Sequence, residues 1–483
     1  MNDKKIWIAV AAFALPILAR LLWFYPGISI RPEIATPEYA ALTIPLPPLE
    51  TPAAANEVRF MGGTVIVDYT HTNQFQPAEI DALVEQIEAR GGRAEFISDS
   101  LLLENSLKYA SAYLVLSPSM AFTAGEINLL RDFVGRGGRL AVFTDATRGM
   151  VYSDFFSGTT TSFPDVYAVN PLLANFGITV NADYLYDLTE NEGNFRNVFF
   201  NEFGKAELTF GLKRVAMYGS HSVKTDEGTL LFLGAESTLS STSDAHDPTQ
   251  GGAAINRDGN VLALGDFTFL THPYNQVADN ATLISNISDF LLGGNRTPAL
   301  ADFPYVFNGG IVQVKLAADV QMTAEMIGAL SRLQASMRLN NTSMQIVDEE
   351  PAGGDVVLIG TFDSIEELGG VMDRFDLVIE PFSDYVTLPG FGNVGRYGNA
   401  VLLMETRDRG NTLVLLASTM EDLTYLLDTL SGGSLYSCVI QGQVGVCSIG
   451  YGGSFSDGSE FDNGEELYEE ASPEPQAEPT TAG

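Results

Sequence analysis

The stretch YLVLSPSMAFTAGEINLLRDFVGRGGRLAVFTDAT, residues 113–147, decides the fold. Its opening run, Ala112 to Leu116, is a short apolar block without polar alternation, the pattern of a strand buried on both faces. Thr123 stands three residues before Glu126, the spacing of a capping box at a helix start. Ile127, Leu130, Phe133 and Val134 then share one helical face, and Gly137-Gly138 stops the helix. Leu140 to Phe143 reads as the next buried strand. Strand, helix and strand at this spacing build a parallel sheet covered on both faces.

Upstream, Thr64 to Asp68 is another buried strand. It is followed by a helical pattern from Pro77 to Arg90, with Ile80, Leu83, Val84 and Ile87 on one face. Gly91-Gly92 ends that helix, and Arg93 to Ile97 is the next strand. Downstream, Thr229 to Leu233 and Asn260 to Leu264 read as late strands. Asp279-Asn280 opens a helix with Leu283, Ile284, Ile287, Phe290 and Leu291 inward. The expected fold class is α/β, a flavodoxin-like parallel-sheet domain over residues 58–296. Its irregular middle, 149–224, is crowded with Phe155, Phe156, Phe195, Phe199, Phe200 and Phe203. That segment reads equally as a lid, a partner surface or the core of a hairpin extension.

A second alternating pattern fills residues 297–450 and predicts a smaller α/β domain. Thr297-Pro298 begins a linker, Ile311 to Leu316 is a strand, and Thr323 to Leu339 is a helix. Val356 to Ile359 is a strand ahead of a helix expected to start at Ser364, with Glu367 three residues on. Ala400 to Met404 pairs with Thr412 to Leu416, and Thr419 caps a helix holding Leu423, Leu426, Leu427 and Leu430. Gly442-Gln443 has the glycine-first form of a two-residue hairpin turn. Counting outward sets Cys438 opposite Cys447 at a non-hydrogen-bonded position, within disulfide reach. A disulfide is expected there in an oxidising compartment.

The compartment is written at the N-terminus. Lys4 and Lys5 precede a run from Ile6 to Tyr25 that is apolar except for Arg20. About 20 apolar helical residues cross a hydrocarbon core, and Arg20 can snorkel outward beside Trp23 and Tyr25. Residues 1–25 therefore read as a transmembrane anchor with its basic end in the cytoplasm. A cleaved signal peptide is the competing reading, although Phe24-Tyr25-Pro26-Gly27 makes a poor cleavage site. Both readings put the body of the chain outside the cytoplasm. Residues 26–57 are proline-rich and suit a stalk, while 451–483 read as a disordered acidic tail without Lys or Arg.

The formal charge is −35, from 61 acidic and 26 basic residues, which repels phosphate backbones and excludes nucleic acid as a partner. The two cysteines form no CxxC pair and the four histidines are scattered, so no cofactor is expected. A metal site would have to use carboxylates.

Residues 113–147, together with TVIVDYTHTNQF at 64–75, GNVLALGDFTFL at 259–270 and ADNATLISNISDFL at 278–291, resemble the class I glutamine amidotransferase-like fold. More narrowly they resemble the uncharacterised DUF4350 group, similar to the gliding-motility auxiliary protein GldG and to the intraflagellar-transport domain. The resemblance covers roughly half of the chain. In catalytic members a cysteine occupies the sharp turn after the strand that matches Leu140 to Phe143. Here that turn is Thr144-Asp145-Ala146, and the domain contains no thiol. The partner His-x-Glu pair is also missing, because Leu264 leads into Gly265-Asp266-Phe267. Glutamine hydrolysis needs an activated nucleophile, so it is not expected.

Open parallel sheets place ligands beyond the carboxyl ends of their strands. Asp68, Asp145 and Asp266 each follow a strand there, and His71 lies three residues past Asp68. With Asn280 they form the candidate ligand-binding set, able to hold a divalent cation or an amine. Short polar side chains at these places also cap the turns that follow. Ser117 or Ser119 with His221 or His272 makes a serine triad on paper, but no G-x-S-x-G elbow is present. The expected function is a membrane-anchored, extracytoplasmic, non-catalytic ligand- or partner-binding scaffold. The GldG resemblance implies service to an envelope or ABC-type transport complex. The alternative is a metal-dependent hydrolase built on the strand-end carboxylates.

Overall fold

The computed structural model describes residues 3–25, 59–153, 160–307, 310–338, 341–349, 353–368, 370–380, 382–407, 410–433 and 435–449. The proline-rich segment 26–57, the acidic tail 451–483 and the pair Phe155-Phe156 lie outside them. Helix α1, Asp3–Phe24, has no buried residue and is long and apolar enough to cross a membrane. It belongs to a unit separate from the body that follows.

The first sheet of that body grows from the buried runs expected above. Strands β1 (Thr64–Asp68), β2 (Arg93–Ile97), β3 (Ala112–Leu116) and β4 (Arg139–Phe143) all run parallel. Two late strands lie antiparallel to their neighbours, β5 (Thr229–Leu230) and β6 (Ala253–Ile255). Strand β7 (Val261–Leu264) returns parallel to β4. The order is β5-β6-β7-β4-β3-β1-β2. Its parallel part is the flavodoxin order 2-1-3-4-5, extended by the antiparallel β6 and β5. The single strand expected from Thr229 to Leu233 is instead broken. Thr229–Leu230 joins the main sheet, while Phe232–Leu233 pairs with Glu202–Phe203 in a separate ribbon.

Helices α2 (Asp81–Ala89), α3 (Ala124–Gly135) and α4 (Asn280–Leu292) cover the sheet. Helix α3 starts with the anticipated box: Thr123 Oγ1 accepts from Glu126 N, and the Glu126 carboxylate accepts from Thr123 N. Leu283, Ile287 and Leu291 of α4 join Val65, Val67, Leu114 and Phe143 on one sheet face. Leu130, Phe133 and Val134 of α3 pack with Ile66, Val115 and Val142 on the other. The irregular middle folds mainly as two-stranded ribbons, with Val198 and Phe200 in the core.

The second domain carries another seven-stranded sheet. Its strands are β8 (Gly310–Leu316), β9 (Thr342–Val347), β10 (Asp355–Thr361), β11 (Asn399–Arg407), β12 (Gly410–Ala417), β13 (Cys438–Gln441) and β14 (Val444–Ser448). They stand in the order β9-β8-β10-β12-β11-β14-β13. Helices α5 (Ala324–Arg338) and α6 (Met420–Ser431) flank it, and Thr419 caps α6 as expected through Asp422 N. The Ser364 cap does not form. Ser364 Oγ turns back to Thr361, and only a short turn, Ile365–Glu367, follows. The terminal hairpin has the anticipated register, Cys438 opposite Cys447, and the two cysteines are joined by a disulfide. That bond suggests an oxidising, extracytoplasmic environment.

The expected linker at Thr297-Pro298 leads into a junction built around Asp302. This buried carboxylate takes Arg136 at 2.5 Å and Arg296 at 2.8 Å. One charge thereby ties the two sheets' domains together.

Candidate functional site

Six stretches of this chain read Asp-x-Thr: 68–70, 145–147, 187–189, 247–249, 266–268 and, inside helix α6, 422–424. In the first five the aspartate Oδ1 accepts the amide hydrogen of the residue two further on, at 2.8–3.0 Å. Such a turn offers the chain an immediate hydrogen bond where a strand ends. The three strand-end candidates, Asp68, Asp145 and Asp266, all use it, and all three are fully buried.

The β1 end holds the first cluster. Asp68 Oδ2 lies 2.9 Å from His71 Nδ1 and accepts Asn73 Nδ2 at 3.2 Å. Thr70 Oγ1 lies 2.8 Å from both Asp68 Oδ1 and His71 Nδ1. The other imidazole nitrogen, Nε2, lies 3.6 Å from Glu126 Oε2 of the α3 box. The ring stacks on Phe122 with centroids 3.8 Å apart. Burial works against a charged imidazole, but hydrogen bonds and charge from Asp68 and then Glu126 outweigh it and raise the His71 pKa. For Asp68, burial pushes upward and the His71 bond and charge overcome it, leaving the carboxyl below its ordinary range. Glu126 is likewise lowered: its two Thr123 bonds outweigh its burial. The cluster is an imidazole set between two carboxylates that favour its charged form.

Asp145 and Asp266 form a second cluster, at the ends of β4 and β7. Asp145 accepts Thr147 Oγ1 at 2.5 Å and Thr268 Oγ1 at 2.7 Å, while Asp266 accepts the Tyr218 amide at 2.8 Å. Burial raises the pKa of Asp145. It raises Asp266 well above the ordinary carboxyl range, where the adjacent Asp145 charge adds to it. Burial and the neighbouring charge both favour the protonated form of Asp266. Behind the pair, Asp165 Oδ2 accepts the Asp145 amide at 2.9 Å. Asp165 Oδ1 lies 3.2 Å from His221 Nε2, off the line of a hydrogen bond. His221 Nδ1 meets Asp183 O at 2.5 Å. Burial opposes charge on His221, but Asp165 prevails and its pKa is raised.

The candidate set is therefore divided. Asp68 pairs with His71 and Asp145 with Asp266, but among the described residues no three His, Cys, Asp or Glu side chains form a group able to hold a metal ion. Asn280 belongs to neither cluster. Its amide clips α4 to the ribbon strand Val215–Tyr218, bonding Ala216 N and O, and also reaches Tyr274 O. The neighbouring Asp279 accepts from Lys213 and Arg214 amides instead of capping the helix.

The strained turn also lies elsewhere than expected. Thr144, Asp145 and Ala146 keep ordinary negative φ, whereas Ser117, directly after β3, has φ 36°. Ser117 Oγ and Ser119 Oγ are buried without a hydrogen-bond partner among the described residues. Neither histidine of the paper triad serves them. His221 faces Asp183 O with Nδ1 and Asp165 with Nε2, and exposed His272 has Gln276 as its contact at 3.5 Å.

Sequence reasoning missed Glu126 as a site residue, reading it only as a cap, and missed Asn73, Phe122, Asp165 and Asp183. None of these five lies in an Asp-x-Thr stretch; that pattern marks Asp68, Asp145 and Asp266 as turn acceptors, and the residues that meet them come from distant elements.

No family model and no curated protein matches the chain. Among solved structures, the mmIFT52 N-terminal domain is 14% identical with a TM-score of 0.38, covering 48% of this chain and 98% of that one. A thua-like protein from Bacteroides uniformis is 14% identical with a TM-score of 0.28, covering 50% and 95%. The PurLQS structure from Thermotoga maritima is 10% identical with a TM-score of 0.23, covering 47% and 97%.

Proposed function

We propose that this is a single-pass membrane protein whose extracytoplasmic body is a non-catalytic ligand- or partner-binding scaffold. In this reading its first domain is of the amidotransferase type, of the DUF4350 and GldG-like kind, and assists an envelope or ABC-type transport complex. One observation carries the non-catalytic reading: the carboxyl groups and the imidazole at the strand ends are engaged with one another and with local turn donors. His71 faces Asp68 with one ring nitrogen and Glu126 with the other, and both favour its charged form. Asp145 and Asp266 accept local turn donors, Asp145 also accepts Thr268 Oγ1, and burial raises both carboxyl pKa values. The chain's only two cysteines are bonded to each other in the second domain, so no thiolate is present to attack an amide. The apolar α1 and the disulfide support the placement outside the cytoplasm.

The test uses the full chain in lipid nanodiscs. No turnover of glutamine, ester or peptide substrates above buffer is expected, and no stoichiometric divalent cation by elemental analysis. Turnover abolished by Ser117→Ala, or a bound metal lost on Asp266→Ala, would replace the scaffold with a hydrolase. Affinity capture from native membranes should return integral transport or envelope components.

A further inference from the structure

At the opposite end of the first sheet, beside the amino ends of β4 and β7, lies a cavity of about 900 Å³. That volume sits in the range of small-molecule sites. Its walls are mixed. Met61, Leu208, Ile255 and Phe290 give apolar surface, and Phe210 stands exposed on the lip.

The charged lining departs from the rest of the molecule. In a chain of 61 acids and 26 bases, this cavity gathers Arg59, Arg139, Lys205 and Arg257 against Glu207 and Asp289. Asp289 is already taken by the buried Arg90 at 2.5 Å, and Arg257 pairs outside the cavity with Glu227 at 2.9 Å. Arg139 is the anomaly. Every other buried or half-buried arginine among the described residues reaches a carboxylate oxygen within 3.2 Å. Half-buried Arg139 reaches none. It donates Nη1 to Gly259 O, leaves Nε without a partner, and lies over the Phe290 ring at 5.0 Å. A guanidinium fixed on an aromatic face with donors unspent is prepared for a planar or tetrahedral anion. Exposed Lys205 and Arg59 add two more cations at the rim, neither with an ion pair among the described residues.

We propose that this cavity binds a small organic anion, a carboxylate or phosphate group carried on an apolar body, with Arg139 as the anchor. The anion supplies the counter-charge that Arg139 lacks, while the apolar body fills the space between Leu208, Ile255 and Phe290. Burial already lowers the Arg139 pKa with only Glu207 opposing, which an incoming anion reverses. The pocket stands apart from the strand-end clusters and is independent of whether those are catalytic.

Calorimetric titration of the full chain in phosphatidylcholine nanodiscs with phenyl phosphate tests this, with inorganic phosphate and benzamide as half-ligands. One saturable site per chain is expected, with each half-ligand binding roughly tenfold more weakly or worse, as a charge-assisted contact or its apolar complement is lost. Arg139→Gln should weaken binding by about tenfold or more, and Lys205→Glu by about threefold or more. Nanodiscs doped with phosphatidic acid decide the source. Competition with phenyl phosphate assigns a lipid head group, and its absence a soluble anion. No saturable binding at millimolar phenyl phosphate overturns the proposal, as does binding unchanged in both variants. Should Arg139→Gln fail to fold, Lys205→Glu decides alone, because that residue is exposed.

Discussion

Replacing Asp68 by Asn probes the cluster on which the inert-cleft reading rests. The change keeps shape but removes the charge 2.9 Å from His71 Nδ1 and turns one acceptor into a donor facing Asn73 Nδ2. Both partners are buried, so the imidazolium loses its main counter-ion without water to replace it. Breaking one side of a buried ion pair costs about 3–5 kcal/mol, or a Tm drop of roughly 6–20 °C for a domain of this size. The cost should depend on pH. The folded His71 pKa is raised, so its contribution is complete below about pH 6.5 and fades as pH rises through the folded value. The folded Asp68 pKa is lowered, so its share is complete above about pH 3.9 and fades as pH falls through the folded value. The Tm difference between wild type and variant should therefore peak between about pH 4 and 6.5 and shrink on both sides. Calorimetry across pH reads the stability. The His71 Cε1–H resonance, assigned with His71→Gln, reads the titration directly. In wild type it should titrate above the ordinary histidine value, and in Asp68→Asn well below its wild-type position. A wild-type His71 that is neutral at pH 6 would refute the reasoning and return a free base to the cleft.

Asp145→Asn should act in the opposite sense. Raised carboxyl pKa values mean that the folded chain keeps a proton the unfolded chain releases above about pH 4, so stability drains as pH rises through the folded values. Removing one of the two competing charges should give a gain on the order of 1 kcal/mol that grows from pH 4 to pH 8, visible as a rising Tm difference. An equal loss at every pH would show that the carboxyl pKa values are not raised. Cys438→Ser with Cys447→Ser should cost at most about 2.7 kcal/mol, the loop-closure value for so short a loop, since the hairpin register is already held by the β11–β14 pairing. Amide exchange should quicken first in edge strand β13, and undiminished protection there would refute the bond's role.

Much of the fold was written locally. Apolar runs and helical spacing marked β1 to β4, α3, α4 and α6, because burial on one face imposes its own period on the chain. Thr123 with Glu126, and Thr419, announced their helix starts through hydrogen bonds spanning only three residues. The glycine-first turn at Gly442 set the Cys438–Cys447 register by geometry alone. Local pattern misled where the energy came from elsewhere. Ser364 found a better partner in Thr361 than a helix end. Thr229–Leu233 was divided between two sheets because its halves met different neighbours.

What the sequence by itself determined was the sign and place of the main parts: an apolar helix before an acidic body, two α/β patterns, a first domain without thiol, and a cysteine pair set to meet. Tertiary structure alone decided which charges met. Glu126 faces His71 across 55 positions of chain, Asp165 and His221 support a carboxyl pair from distant loops, and Arg139 was left without a carboxylate. Pairing of that kind depends on distances between elements far apart in sequence, and a buried charge has a value only once its neighbours and its exclusion from water are known.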